Sequence, residues 1–235
     1  MRAPRRVRAV VLDMDGTLLD TEPLAARAWL DAASILGLRF DEALLPSMVG
    51  RTYADCRTLL VEAYRDATLV DRLMHGWHVA YDAIVEREGL AFKPGVAELF
   101  EWLDDARWPR AVATSTRRAR ALAKLEHAGL AARLDAIVGG DEVARGKPAP
   151  DIFLEAAARL SVAPAECVVL EDSDAGVLGA LAAGMTPIMI PDGRPPSAEV
   201  LRAAPIVVET LHHAIACFDA HVRAPEAARH RTIVR

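Results

Sequence analysis

An unbroken apolar run, Ala9-Val10-Val11-Leu12, leads straight into Asp13-Met14-Asp15-Gly16-Thr17. No other stretch restricts the fold of this chain as much. Four apolar residues in a row, without alternation, read as a strand buried on both faces, as in the interior of a parallel sheet. Open parallel sheets bind ligands just beyond the carboxyl ends of their strands. Asp13 and Asp15 stand at such an end and share one pocket. Two close carboxylates repel unless a cation or a proton intervenes. The pair therefore suits a divalent metal with oxygen ligands, and equally a nucleophile beside an acid/base. A carboxylate pair after a strand can also be an ordinary turn or helix cap. A calcium loop of the helix–loop–helix type is excluded, because its sixth and twelfth positions, here Leu18 and Leu24, require Gly and Glu.

Between residues 18 and 91 the pattern is helical. Leu24, Ala28, Leu30, Ala32 and Ile35 have helical spacing within 22–38, and 53–67 and 69–88 are two further helical stretches. No strand is predicted there. From residue 94 helices alternate with short apolar strands, at 110–114, 136–138, 167–170, 186–190 and 206–208. Alternation of this kind specifies an α/β fold with a doubly wound parallel sheet. The predicted organisation is a core of residues 1–17 and 92–221, an inserted all-helical cap over 18–91 with hinges at 18–22 and 91–95, and a tail over 222–235 without apolar periodicity. The chain has 235 residues, 52% of them hydrophobic, enough for such a core. Its net charge of -5 argues against nucleic acid as a partner. The apolar run after the basic start is too short for a signal peptide, and no run approaches the ~18 apolar residues of a membrane span. Cys56, Cys167 and Cys217 are scattered and lack CxxC spacing, which reads as reduced thiols of a cytoplasmic protein. A monomer is expected.

Other strand ends also carry polar residues. Thr114-Ser115-Thr116 offers hydroxyls and backbone N–H groups that can hold phosphate oxygens, or can simply cap the next helix. In Arg145-Gly146-Lys147-Pro148, Lys147 has a constrained backbone and an ammonium able to neutralise a phosphate and an aspartate, if it is not a solvated loop lysine. Val168-Val169-Leu170 ends in Glu171-Asp172-Ser173. Mg²⁺ takes one or two carboxylates and completes its octahedron with waters and substrate phosphate. Asp13, the backbone carbonyl of Asp15, and Asp172 would provide that set, with Glu171 a direct or a water-mediated ligand.

Asp13-x-Asp15, Thr114, Lys147 and Glu171-Asp172, in this order, resemble the four signatures of the haloacid-dehalogenase-like (HAD) phosphohydrolases. Gly-Lys-Pro-Ala-Pro-Asp-Ile-Phe and Leu-Glu-Asp-Ser-x-Ala-Gly are similar to the subgroup of β-phosphoglucomutase and the sugar-phosphate phosphatases. The resemblance spans residues 7 to 218. It implies a Rossmann-like core, Asp13 as nucleophile, Asp15 as acid and then base, Thr114, Lys147 and the Ser115 backbone as holders of the phosphoryl group, and Asp172 as metal ligand. Arg118 is a candidate substrate contact, as is the cap loop Gly50-Arg51-Thr52. The implied function is a Mg²⁺-dependent phosphatase of a small phosphorylated metabolite. The alternatives are a phosphomutase and a binding or regulatory protein with a disabled core. A dehalogenase would lack Asp15, and a phosphonate hydrolase of this fold would need a cap lysine, which 17–91 does not contain. The β-phosphoglucomutase pattern has a histidine twelve residues after the nucleophile, a Lys-Gly pair and an arginine. Ala25, Val49-Gly50 and Tyr53 stand in those places, while its tryptophan is kept as Trp29. Hydrolysis is thus expected over transfer.

Overall fold

The computed structural model describes residues 7–48, 51–203 and 205–223. Gly50, Val49 and residues 224–235 of the expected tail lie outside the described residues. The strands are β1 (Ala9–Leu12), β2 (Arg110–Ala113), β3 (Ala136–Val138), β4 (Cys167–Glu171), β5 (Thr186–Met189) and β6 (Ile206–Val207). The α-helices are α1 (Glu22–Ile35), α2 (Leu45–Met48), α3 (Tyr53–Tyr64), α4 (Ala67–Glu88), α5 (Val96–Ala106), α6 (Arg118–His127), α7 (Asp151–Arg159), α8 (Asp174–Ala182), α9 (Ala198–Ala203) and α10 (Leu211–Arg223).

The six strands form one parallel sheet in the order β3-β2-β1-β4-β5-β6. The chain runs outward from β1 to β3, then returns to the other side of β1 with β4. The boundary between β1 and β4 is therefore the topological switch point, where such sheets open a crevice. Successive side chains of a strand point to opposite faces, and β1 serves both. Val10 and Leu12 join Leu99, Phe100 and Leu103 of α5, Leu125 of α6 and Phe218 of α10. Ala9 and Val11 join Phe153, Ala156 and Ala157 of α7 and Ala180 of α8. Both layers exclude water at β1, which explains the absence of polar residues from 9 to 12. Truncating the fully buried Leu12 to Ala would cost ~2–5 kcal/mol.

The helices between 22 and 88 bury a separate cluster: Trp29, Phe40, Met48, Leu60, Val70, Leu73 and Met74. Asp66 caps α4 by accepting from the Leu69 N–H at 2.9 Å, so α4 begins two residues before its sequence-based start. Helix α1 stops at Ile35 rather than Leu38, because Gly37 turns the chain with φ +68°. Pro46 lies in the first turn of α2, where a proline costs no hydrogen bond. The expected hinges touch each other. Asp20 N–H donates to Ala91 O at 2.9 Å, Lys93 N–H donates to Leu18 O at 3.0 Å, and Leu19 and Phe92 form an antiparallel bridge. Among the described residues no helix is long and apolar enough to cross a membrane.

Candidate active site

Beyond Leu12 the chain continues one step along β4, with Asp13 N–H donating to Leu170 O at 2.9 Å. It then reverses, with the N–H groups of Leu18 and Leu19 both donating to Met14 O at 2.9 Å. Met14 is fully buried in the core, and this anchors the loop between the two aspartates. Asp13 and Asp15 both line one cavity of about 550 Å³ between the sheet and the helices of 22–88. Gly16, at φ +87°, is sterically required: a Cβ there would lie 2.5 Å from Asp172 Oδ2. The neighbouring Thr17 hydroxyl donates to Asp172 Oδ1 at 3.0 Å.

Asp13 and Asp15 have opposite environments. Lys147 Nζ donates to Asp13 Oδ1 at 2.5 Å and to Glu171 Oε1 at 2.6 Å, all three groups being buried. Burial works against the Lys147 ammonium, but the two carboxylates outweigh it and raise its pKa, so it stays charged. One ammonium faces Asp13, Glu171 and Asp172, which leaves an excess of negative charge. Burial pushes the Asp13 carboxyl up to about 8, with Lys147 opposing and Glu171 and Asp15 adding to the rise. Asp172 is raised by burial and then by Glu171 and Asp13. Asp15 is held by other groups. Lys124 Nζ donates to Oδ1 at 2.7 Å, the Thr21 hydroxyl to Oδ1 at 2.8 Å and the Thr116 hydroxyl to Oδ2 at 2.7 Å. Burial favours the neutral acid, yet Lys124 and the two hydroxyls keep Asp15 below the ordinary carboxylate range.

The remaining residues fall into two groups. Thr114, Ser115, Arg51, Lys147 and Asp172 line the cavity with the aspartates. Thr114 Oγ1 accepts from the Thr116 N–H at 3.1 Å and does not cap α6. Arg51 is exposed, and its Nε donates to Ser47 O at 2.6 Å. Glu171 is fully buried behind Lys147; its Oε2 accepts from the Ser173 N–H at 2.8 Å and the Ser173 hydroxyl at 2.9 Å. The expectation for Arg118 needs correcting. Its guanidinium donates to Ile137 O and lies 3.8 Å from Glu142, away from the cavity. Arg117, just before α6, and Arg120 and Lys124 on it face the cavity at helical spacing, and Arg118 points about a quarter turn aside. Sequence reasoning missed Lys124 and Thr21, and gave the Thr116 hydroxyl to phosphate or a helix cap rather than to Asp15. The available signal was the scarcity of lysine, which occurs only at 93, 124 and 147.

The described hydrogen bonds use one oxygen of Asp13 and one of Asp172, Oδ1 in both. Hard oxygen donors with excess negative charge fit a divalent cation, which would bring both acids down. Among the described residues no three His, Cys, Asp or Glu side chains form a ready cage. Two carboxylates with a backbone carbonyl suit a cation that takes its other ligands from water and phosphate.

A family model described as haloacid dehalogenase-like hydrolase matches residues 7–184. The chain belongs to the haloacid dehalogenase-like hydrolases. A phosphorylated carbohydrates phosphatase of Thermotoga maritima is 36% identical over 76% of this chain and 82% of its own. A bifunctional riboflavin kinase/FMN phosphatase of Arabidopsis thaliana is 34% identical over 86% of this chain, which spans 53% of that longer protein. The crystal structure of a haloacid dehalogenase family hydrolase from Deinococcus radiodurans, with bound phosphate and sodium, superposes with a TM-score of 0.70 at 29% identity, over 94% of this chain and 98% of that one. Within this hydrolase fold the two aspartates, Lys147 and Asp172 converge at the switch point between β1 and β4.

Proposed function

We propose that the protein is a Mg²⁺-dependent phosphatase of a small phosphorylated metabolite, working through an aspartyl-phosphate on Asp13. The observation that carries this reading is the pair of differently held aspartates on one cavity, Asp13 on Lys147 and Asp15 on Lys124. The Thermotoga relative's phosphatase name supports the substrate class.

An Asp13 oxygen attacks phosphorus as the bond to the alcohol oxygen breaks, and Asp15 gives its proton to that oxygen. Asp15 then takes a proton from water, the hydroxide attacks phosphorus, and the bond to Asp13 breaks to release phosphate. That proton remains on Asp15 for the next alcohol. The carboxylate form of Asp15, which Lys124, Thr21 and Thr116 favour, is the one the second half requires. Lys147, Thr114 and Ser115 hold the phosphoryl oxygens against the negative Asp13. Asp13, Asp172 and the Asp15 carbonyl would hold Mg²⁺, which would supply further positive charge to those oxygens. The helices of 22–88 act as a cap whose hinges lie at 18–22 and 91–95, and the enzyme works as a cytoplasmic monomer. Ala25, which lines the cavity where the mutase pattern has histidine, cannot move a proton, and this favours hydrolysis over transfer.

The test is phosphate release from a panel of phosphate monoesters with Mg²⁺. Release that stops in the folded Asp13→Asn variant, and that EDTA abolishes and Mg²⁺ restores, is the expected result. Wild-type release rates in Asp13→Asn, or full activity after metal removal, would overturn the reading.

A further inference from the structure

The alcohol of the ester is placed by the acid that protonates it. Its oxygen leaves beside Asp15, so the alcohol extends from Asp15 and Lys124 along the cavity wall formed by α1, α3 and α4. That wall is a continuous run of rings. Tyr81 lies under Lys124, with Nζ 4.8 Å from the ring centroid. Trp77 meets Tyr81 at 5.2 Å, Trp29 at 5.1 Å and His78 at 5.0 Å between centroids. Tyr53 stacks on His78 at 5.2 Å and only 9° from parallel. Met48 and Met74 also line this wall.

The wall is poor in free polar groups. Trp77 Nε1 is already used, donating to Ala25 O at 3.0 Å, so its ring offers carbon faces only. Arg120 is paired with Asp82, and Arg117 lies 3.5 Å from Asp141. The exceptions are His78 Nδ1 and the Tyr81 hydroxyl, both buried without a partner, and Glu22, which lines the same side. Yet Tyr53 is 42% exposed and Trp77 and His78 are half-buried, so these rings are not closed into the helical core. A polyol would bury hydroxyls here with few partners, at a cost of ~1–3 kcal/mol for each one left unpaired. A flat ring would stack on the wall and gain both apolar burial and ring–ring contact.

We propose that the preferred ester carries a flat aromatic ring on its leaving alcohol, seated on Trp77 and Tyr53, with Glu22 and His78 at its polar edge. This rests on the phosphatase reading and narrows its substrate class. The test compares kcat/KM of the wild-type enzyme with Mg²⁺ for benzyl phosphate and for glycerol 3-phosphate, both esters of primary alcohols. Benzyl phosphate is expected to be the better substrate by about tenfold or more, the fold-change that burial of one ring face supports. Tyr53→Ala and Trp77→Leu should each lower that ratio at least about threefold. Tyr53 is at the surface, so its variant keeps the test valid if Trp77→Leu fails to fold. A preference for glycerol 3-phosphate, or a ratio unchanged in the folded variants, would overturn this inference alone. Release from neither of these two esters would overturn this inference alone, while release from no ester of the wider panel would overturn the phosphatase reading and this inference with it.

Discussion

At the scale of single residues, the site depends on which cation answers which carboxylate. Lys124 neutralises Asp15 at 2.7 Å, and its removal leaves a half-buried carboxylate with only two hydroxyl donors. Lys124→Met should therefore lower kcat/KM by about 10²-fold, the scale of a misplaced acid/base. The sign of the accompanying pH effect is fixed: Asp15 loses the charge that holds its pKa down, so the limb of the pH profile that Asp15 controls moves to higher pH. An unchanged profile would show that Lys124 does not act on Asp15. Glu22 is a different case. Burial first, then Asp15 and Asp192, push its carboxyl from an ordinary 4.5 to about 7. A carboxyl raised in the folded state stabilises the fold below its unfolded pKa and loses that contribution as pH rises through 7. Glu22→Gln should raise the melting temperature at pH 8 and change it little at pH 4, which thermal melts at the two pH values would check.

At the scale of elements, Gly176 on α8 holds Glu171 in place. A Cβ at 176 would lie 1.8 Å from Glu171 Oε1, the oxygen that accepts from Lys147. Gly176→Ala should push Glu171 off Lys147 and reduce turnover at least about tenfold, a consequence of misplacing the groups that hold the reacting atoms. Steady-state kinetics on the variant would test this, and wild-type turnover would refute it. The strands were easy to read in the sequence because β1, β2 and β4 are buried on both faces, and such strands are written as plain apolar runs. Helix ends were read less well. Arg65 stops α3 in the left-handed region at φ +57°, where no sequence signal for glycine marks the turn. The six-residue α9 is too short for a period to show. The rotation of α6 was hidden as well. It carries basic residues at 118, 120 and 124, so only packing decides that Lys124 rather than Arg118 faces the cavity.

At the scale of the whole molecule, the hinge segments are bound to each other and to the sheet. Lys93 Nζ donates to Asp192 Oδ1 at 2.8 Å and lies 3.5 Å from Asp20 Oδ1, so one ammonium ties a hinge to the loop after β5. Removing it should loosen cap movement more than it destabilises the fold, since this part-buried pair is still reached by water and is worth about 1 kcal/mol. Lys93→Ala is expected to change kcat and KM together by roughly two- to tenfold, with a melting temperature close to wild type. A large loss of stability without a kinetic change would reverse that assignment. The sheet, in turn, needs nothing from residues 20 to 90 to complete its ladders, because every strand pairing involves residues outside that span. The insertion enters and leaves through neighbouring backbone positions, Leu18 beside Lys93 and Asp20 beside Ala91. It is thus a cassette in a fixed socket: a lid of another size or chemistry could be spliced onto the same two stubs, giving the unchanged reacting groups a new substrate to select.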